Sequence, residues 1–342
     1  MKIFIKKLFL LLFMTIPLHV AAQDMDKKQA VKSTGSAAPG DYIHSIDSSI
    51  QMKIFEKKDQ LLSGIKDENI TSPDSIPFYP DMFYEYRLVE LNKSTPIDIE
   101  FNEEVKKQID RYTIEKRQEF SKIRGLSLLY FPIIEEHLLK YELPLELKYI
   151  AVIESSLNPL AKSKSGAVGL WQFLLHSGRL FDLEVNSYID ERKDPYKATD
   201  AACRYLKYLH KTFNDWLLAI AAYNGGPGEV RNAIARSGGK TNFWEIKDYM
   251  REETRNYVPK FIAAFYVMEY AAEHKITMKY PGITFYDIDT VWINNEASFQ
   301  QISEKIDVPV EIIRFLNPSY TADYLPDTRK PKVLVLPSDK IL

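Results

Sequence analysis

The sequence predicts a mainly α-helical chain that ends in a small α+β module of strand–helix–helix–strand order. Three observations carry that expectation. Apolar positions recur at helical spacing through the middle of the chain, as where Leu147, Ile150, Ala151 and Glu154 fall at i, i+3, i+4 and i+7. Acid, proline and glycine signals punctuate these runs where helices start and stop, as at Asp194-Pro195 and in the Asn224 to Gly228 run. Beyond Tyr280-Pro281-Gly282, strand-like runs at 284–291 and 332–336 flank helical patterns at 298–305 and 310–316.

At 342 residues, one medium domain plus a smaller module is expected, and 45% hydrophobic content suffices for a real core. A net charge of −2 gives no general drive toward nucleic acid or an anionic membrane. The 21 Tyr and 4 Trp fit sugar stacking and ordinary packing equally well. With one cysteine, Cys203, there is no disulfide to form, and its helical setting suggests a buried small residue.

Residues 1–22 read as a secretory signal peptide: Lys2, Lys6 and Lys7 precede an apolar run too short to span a bilayer comfortably, and Val20-Ala21-Ala22 offers small residues for cleavage. No cysteine follows to carry a lipid, so the expectation is a chain without a membrane span once the signal is removed. Residues 23–95 read as a leader rich in Lys, Asp, Ser and Gly, with some helical periodicity at 50–65.

The helical body is expected over 96–280. Its first helix, 101–123, carries Val105, Ile109, Tyr112 and Phe120 near helical period and should break at Gly125; a second follows over 126–141. His137 has no partner at ligand spacing, so no metal site is expected. Pro144 then suits the first turn of the helix that ends on Glu154, where Ser155, Ser156, Asn158 and Pro159 stop it. A carboxyl on an apolar stripe is costly to ionise, so its pKa should rise toward neutrality, as a general acid requires; the alternative is a core glutamate paired with Lys or Arg.

After Glu154 come Ser163 and Ser165 in a turn, Gly166 and Gly169, and then Trp171-Gln172. Glycines admit close backbone approach, Trp171 can stack on a sugar face, and Gln172 both donates and accepts: the set suits a carbohydrate cleft. Asp182, Glu184, Asp190, Glu191 and Asp194 are the place to seek a second carboxylate, since most glycosidases use two. Asp194-Pro195 reads better as a helix start, and the others as solvated charges in a polar loop, which favours chemistry with one carboxylate. Tyr223-Asn224 can close the apolar helix at 215–222 as a C-cap before a glycine hinge. Residues 252–270 read as the last helix of the body, in which Pro259, just after Tyr257, marks a kink or a fresh start.

Glu154-Ser155, Gly169-Leu170-Trp171-Gln172, Ala222-Tyr223-Asn224 and Tyr257, in that order, resemble the motifs of the goose-lysozyme-like soluble lytic transglycosylases, and most nearly their membrane-bound murein transglycosylase D type. The resemblance covers about 97–270. It implies a lysozyme-like helical domain, peptidoglycan glycan strands as substrate, a periplasmic address and no cofactor. It makes Glu154 the acid and then the base that closes a 1,6-anhydro ring, Ser163, Ser165, Gln172 and Asn224 holders of the substrate, Tyr223 a cleft residue, and Tyr257 the hydroxyl beside the acid. Packed tyrosines and a helix cap remain the structural alternatives for the last three. Residues 283–339 resemble a LysM glycan-binding module whose usual basic, glycine-containing turn is replaced by Asn294-Asn295-Glu296-Ala297, so a packing role is as open as glycan binding. A hydrolytic muramidase or chitinase, and an inactive glycan-binding wall protein, are the rival functions.

Overall fold

In the computed structural model, which describes residues 76–326 and 331–341, the chain enters on helix α1 (Asp81–Asn92). The expected signal at 1–22 and the periodicity at 50–65 lie outside the described residues. Helix α1 falls inside the stretch 23–95 expected as leader, so the folded body begins ahead of Thr95. Only Tyr84 and Leu88, one turn apart, are its buried face; Met82, Phe83, Tyr86 and Val89 are exposed, so its apolar residues do not fall on one stripe that would announce a helix. Tyr84 packs on Tyr266 and His274 at centroid separations of 5.7 and 5.9 Å, and Arg87 donates to the Tyr266 hydroxyl at 3.0 Å.

Helix α2 (Glu103–Asp110) is capped by the Asn102 side chain, which accepts from the Val105 amide at 3.0 Å. A widened turn, Arg111–Glu115, separates it from α3 (Arg117–Lys140), 24 residues long. The break therefore comes before Arg117, and Gly125 lies inside α3 without ending it. The reason is tertiary: a Cβ on Gly125 would stand 1.8 Å from the Lys279 carbonyl oxygen, so the glycine lets the segment after the last body helix cross α3 at contact distance. Ile123, Leu129, Ile133, Ile134 and Leu138 form the covered face of α3. Each such side chain is worth roughly 1.5–3 kcal/mol of burial.

A tight turn, Leu145–Leu147, leads into α4 (Lys148–Ser155), which stops where Ser156 and Leu157 take left-handed φ of 55° and 59°. Next come α5 (Leu175–Leu180) and α6 (Pro195–Phe213). The Asp194 carboxylate caps α6 by accepting from the Tyr196 and Lys197 amides at 2.9 and 3.0 Å, with Pro195 in the first turn as expected. Cys203 is buried on α6, and burial pushes its thiol up to about 12, which leaves no thiolate chemistry to it.

Asp215 caps α7 (Trp216–Gly225), followed by α8 (Pro227–Arg236), α9 (Phe243–Ile246), α10 (Glu252–Arg255) and α11 (Tyr257–Glu269). Helices α7 and α11 are apolar nearly all round and form the centre of the body: Ile220, Ala221, Phe261 and Ile262 are wholly enclosed. Pro259 falls in the first turn of α11, where its missing N–H costs nothing, so Tyr257 begins a new helix.

The C-terminal part runs β1 (Ile288–Ile293), β2 (Ala297–Ser298), α12 (Phe299–Ile306), α13 (Val310–Leu316), β3 (Tyr324–Leu325) and β4 (Lys332–Pro337). The first strand starts four residues later than expected because Thr284 caps a short turn, Phe285–Asp287. Strands β1 and β4 pair antiparallel, from Ile288 opposite Pro337 to Ile293 opposite Lys332. The Asn317 side chain fastens α13 to β4: its amide donates to the Ile313 and Val335 carbonyls at 2.7 Å, and its oxygen accepts from the Val335 amide at 2.8 Å. Phe299, Ile302, Val308, Ile313, Val333 and Leu334 make a second core, while Phe315, Leu316 and Val335 join the first. Body and module thus share one compact unit.

Candidate active site

Helix α4 delivers Glu154 one residue before its end. Leu147, Ile150 and Ala151, on the same stripe, are fully buried, so the stripe carries Glu154 inward until the left-handed turn at Ser156 opens the chain beside it. Glu154 is half-buried at the floor of a cleft of about 400 Å³ that Ser163, Ser165, Gln172, Tyr223 and Asn224 also line. Tyr257 does not line the cleft; it stands behind the acid and donates its hydroxyl to Glu154 Oε1 at 2.5 Å. All seven residues singled out from the sequence therefore meet in one place.

Burial pushes the Glu154 carboxyl up to about 7. The Tyr257 hydroxyl and the Lys260 ammonium pull it down, and the Glu253 carboxylate pushes it further up. Tyr257 and Tyr223 are themselves held well above the usual phenol range, first by burial and then by the Glu154 charge, so both remain protonated and can donate. Glu154 has no arginine or lysine within ion-pair distance among the described residues, which removes the salt-bridged core glutamate as its explanation.

The loop after α4 is held by its own backbone. Ser155 Oγ donates toward the Ala151 and Leu170 carbonyls at 3.0 and 2.9 Å, tying the helix end to the Gly169–Gln172 run. The Ser163 and Ser165 hydroxyls share a hydrogen bond of 2.9 Å, and Ser163 Oγ accepts from the Ala167 amide. Gln172 takes a left-handed φ of 50°, a strained setting for a residue with a Cβ. Its side-chain amide donates to the Ala161 and Gly169 carbonyls at 3.1 and 2.9 Å, so its carbonyl oxygen is the group left for a ligand. Asn224 is arranged the opposite way: its oxygen accepts from Thr254 Oγ1 at 3.0 Å, so its amide N–H groups are the free donors. One acceptor and one donor thus flank the acid, a pattern that suits the N-acetyl amide of a sugar.

Two expectations are corrected. Trp171 is 1% exposed and donates its indole N–H to Thr199 Oγ1 at 2.9 Å, so it cannot stack on a sugar; its backbone carbonyl instead accepts from the Tyr223 hydroxyl at 2.8 Å. Asp190 and Glu191 are buried rather than solvated, because Arg192 and Lys197 neutralise their surroundings: Asp190 pairs with Arg192 at 2.7 Å and Glu191 with Lys197 at 2.6 Å. None of the five acids considered lines the cleft. The carboxylate that does is Glu253, at its exposed rim. The helix expected over 252–270 is two, broken at Asn256, and nothing in the sequence sets Glu253 apart from Glu252 beside it. Among the described residues no group of three His, Cys, Asp or Glu could hold a metal.

Replacing Tyr257 by Phe should lower kcat on the order of tenfold to a hundredfold, by releasing the acid from its set orientation. The lost bond favoured the ionised carboxyl, so the Glu154 pKa rises and the alkaline limb of the rate profile moves to higher pH. A kcat/KM profile of both proteins checks the sign; an alkaline limb displaced downward contradicts the assignment.

Residues 132–246 match the Transglycosylase SLT domain family, and residues 287–341 match the LysM-like domain of lytic transglycosylase MltD. The chain is 38% identical over 128 residues to the membrane-bound lytic murein transglycosylase D of Escherichia coli, covering 36% of this chain and 28% of that protein. It is 33% identical over 120 residues to the soluble lytic murein transglycosylase of the same organism, covering 33% of this chain and 19% of that protein. These alignments thus span under a third of either relative. The crystal structure of the 70 kDa soluble lytic transglycosylase of E. coli overlaps 66% of this chain and 43% of its own at 20% identity, with a TM-score of 0.38. No helix among the described residues is long and apolar enough to cross a membrane. The chain carries an SLT domain followed by a LysM-like domain of the MltD kind.

Proposed function

We propose that this chain is a peptidoglycan lytic transglycosylase that cleaves the β-1,4 bond between N-acetylmuramic acid and N-acetylglucosamine and leaves a 1,6-anhydro end. The observation that carries the reading is Glu154: a single enclosed carboxyl, protonated up to about pH 7, at the floor of a polar cleft and fixed by the Tyr257 hydroxyl. Glu154 gives its proton to the leaving glycosidic oxygen as the C1–O bond breaks. The carboxylate so formed takes the proton from the C6 hydroxyl of the same muramic residue, whose oxygen closes on C1; the acid is thereby restored and no water is consumed. Gln172 and Asn224 hold the acetamido group, whose carbonyl oxygen eases the charge at C1, with Ser163 and Ser165 beside the neighbouring sugar. Tyr223 braces the Trp171 carbonyl and lines the wall.

A periplasmic address, by way of the signal at 1–22, belongs to the same proposal; it is supported by the murein-directed names of the relatives.

Glu253 favours one second reading. As another carboxylate at the rim of the cleft, it is placed to activate a water, which would make the enzyme a hydrolytic muramidase or chitinase on the same framework. Mass spectrometry of fragments released from sacculi by protein lacking residues 1–22 separates the two. Anhydro-muramyl ends, lighter by one water, are expected; reducing ends alone establish the hydrolase, and no release at all removes both.

A further inference from the structure

The loop that carries Ser163, Ser165 and Gln172 is not held by the body alone. It is spanned by one side chain, Arg192, whose guanidinium donates through Nη1 to the carbonyls of Gly166 and Phe173 at 3.2 and 3.4 Å. Those two carbonyls bracket the loop: Gly166 closes the serine turn by donating its amide to the Ser163 carbonyl, and Phe173 exchanges two backbone bonds with Val168 at 3.0 and 3.1 Å. Asp190 orients the guanidinium with both oxygens, accepting from Nε at 2.9 Å and Nη2 at 2.7 Å, and both side chains are about 9% exposed. Two glycines shape the space around this arginine. Gly178 would bring a Cβ to 3.2 Å from its Cγ, and Gly169 would bring one to 1.8 Å from its carbonyl oxygen.

The segment that presents Asp190 and Arg192 is in turn clasped by the C-terminal module. Ile189 and Tyr320 form an antiparallel bridge; the Asp190 amide donates to the Ser319 carbonyl at 2.7 Å and the Thr321 amide to the Tyr188 carbonyl at 2.8 Å. Thr321 Oγ1 adds a bond to the Ser187 carbonyl at 2.5 Å. Ile189 leaves the body's core and is buried instead among Phe299, Ile302, Tyr320 and Leu336. A body residue thus fills part of the module's interior, immediately next to the acid that aims Arg192.

From this continuity we infer that the LysM-like module acts as a brace of the cleft, fixing the substrate-holding loop through the 187–192 segment, with Arg192 as the positioning residue. The role rests on the proposed function only for what the loop holds; the mechanical link itself is independent of it. A planar fork that bonds an aspartate on one edge and two carbonyls on the other is a task a lysine performs poorly, and a site is only as well set as the shell behind it. Arg192 touches no substrate, so its loss should loosen binding more than chemistry.

The test uses the chain without residues 1–22, a short soluble glycan that fills only the cleft, and amide exchange at Val168 and Phe173. Arg192→Ala is expected to raise KM about tenfold or more with kcat within about threefold, and to speed exchange at both amides about tenfold or more. Arg192→Lys, which keeps a counter-charge for Asp190, should fall between, and serves where the alanine variant does not fold. Ile189→Ala should move both readouts in the same direction from the module side, while Trp292→Ala, at an exposed position on β1, moves neither. A folded Ile189→Ala protein with unchanged KM and unchanged exchange overturns the brace. So does a KM effect confined to whole sacculi, because that is the mark of a module that holds glycan. Should wild-type protein release nothing from sacculi, the proposed function falls, and the exchange rates decide the brace alone.

Discussion

Glu154→Gln is expected to reduce fragment release from sacculi by about 10³-fold or more, the range for removing a general acid that also serves as base. The same substitution should make the protein more stable at alkaline pH. In the folded chain the carboxyl titrates at about 7 against a reference of 4.5, because burial opposes its charge. Folding then favours the protonated form: the contribution is intact below about pH 4.5 and is lost as pH rises through 7. A shift of that size corresponds to no more than about 3 kcal/mol at pH 8, and less once solvent in the cleft is allowed for. Glutamine never ionises and still offers an oxygen to the Tyr257 hydroxyl. Thermal melts of the two proteins should therefore coincide near pH 4 and separate between pH 5 and 8, with the variant melting higher. Equal melting at pH 8 would mean that Glu154 is not desolvated, and the case for a proton held at neutral pH would go with it.

What could be read from the sequence divides along a physical line. Signals that live within one helix or turn were legible: the acid closing an apolar stripe at Glu154, the cap at Asp194, and the strand–helix–helix–strand order of the C-terminal part. Signals that depend on what lies across the interface were not. Gly125 reads as a helix breaker until the Lys279 backbone is known to press on it. Trp171 reads as a sugar platform until Thr199 is found opposite its indole N–H. Asp190 and Glu191 read as solvated charges because their partners, Arg192 and Lys197, neutralise them only once the module and α6 close over the segment. Helix α1 is the same lesson in reverse, since its two buried residues acquire meaning only against Tyr266 and His274.

Gly169→Ala should be the most damaging single-methyl change near the site, and a comparison with Gly166→Ala shows why. Both glycines have positive φ, 85° at Gly166 and 90° at Gly169, so each alanine meets a backbone penalty of roughly 1–2 kcal/mol. A Cβ at Gly166 has no atom within 4 Å, and the loss should stop there. At Gly169 the Cβ would lie 1.8 Å from the Arg192 carbonyl oxygen and 2.8 Å from its carbon, and both atoms are backbone, so no side chain can swing aside. The two segments must part, which disturbs the Gly169 amide bond to the Ala161 carbonyl and both bonds by which Gln172 grips the Gly169 carbonyl. The expected cost is about 3 kcal/mol or more, a large share of the 5–15 kcal/mol that holds a typical domain folded. Because Gln172 moves with the loop, the surviving folded protein should also bind glycan more weakly. Urea melts of the two variants side by side are the measurement: Gly169→Ala should unfold at markedly lower denaturant than Gly166→Ala. Equal midpoints would mean that the close approach of the Arg192 carbonyl does not govern this position, and that positive φ alone sets the demand for glycine.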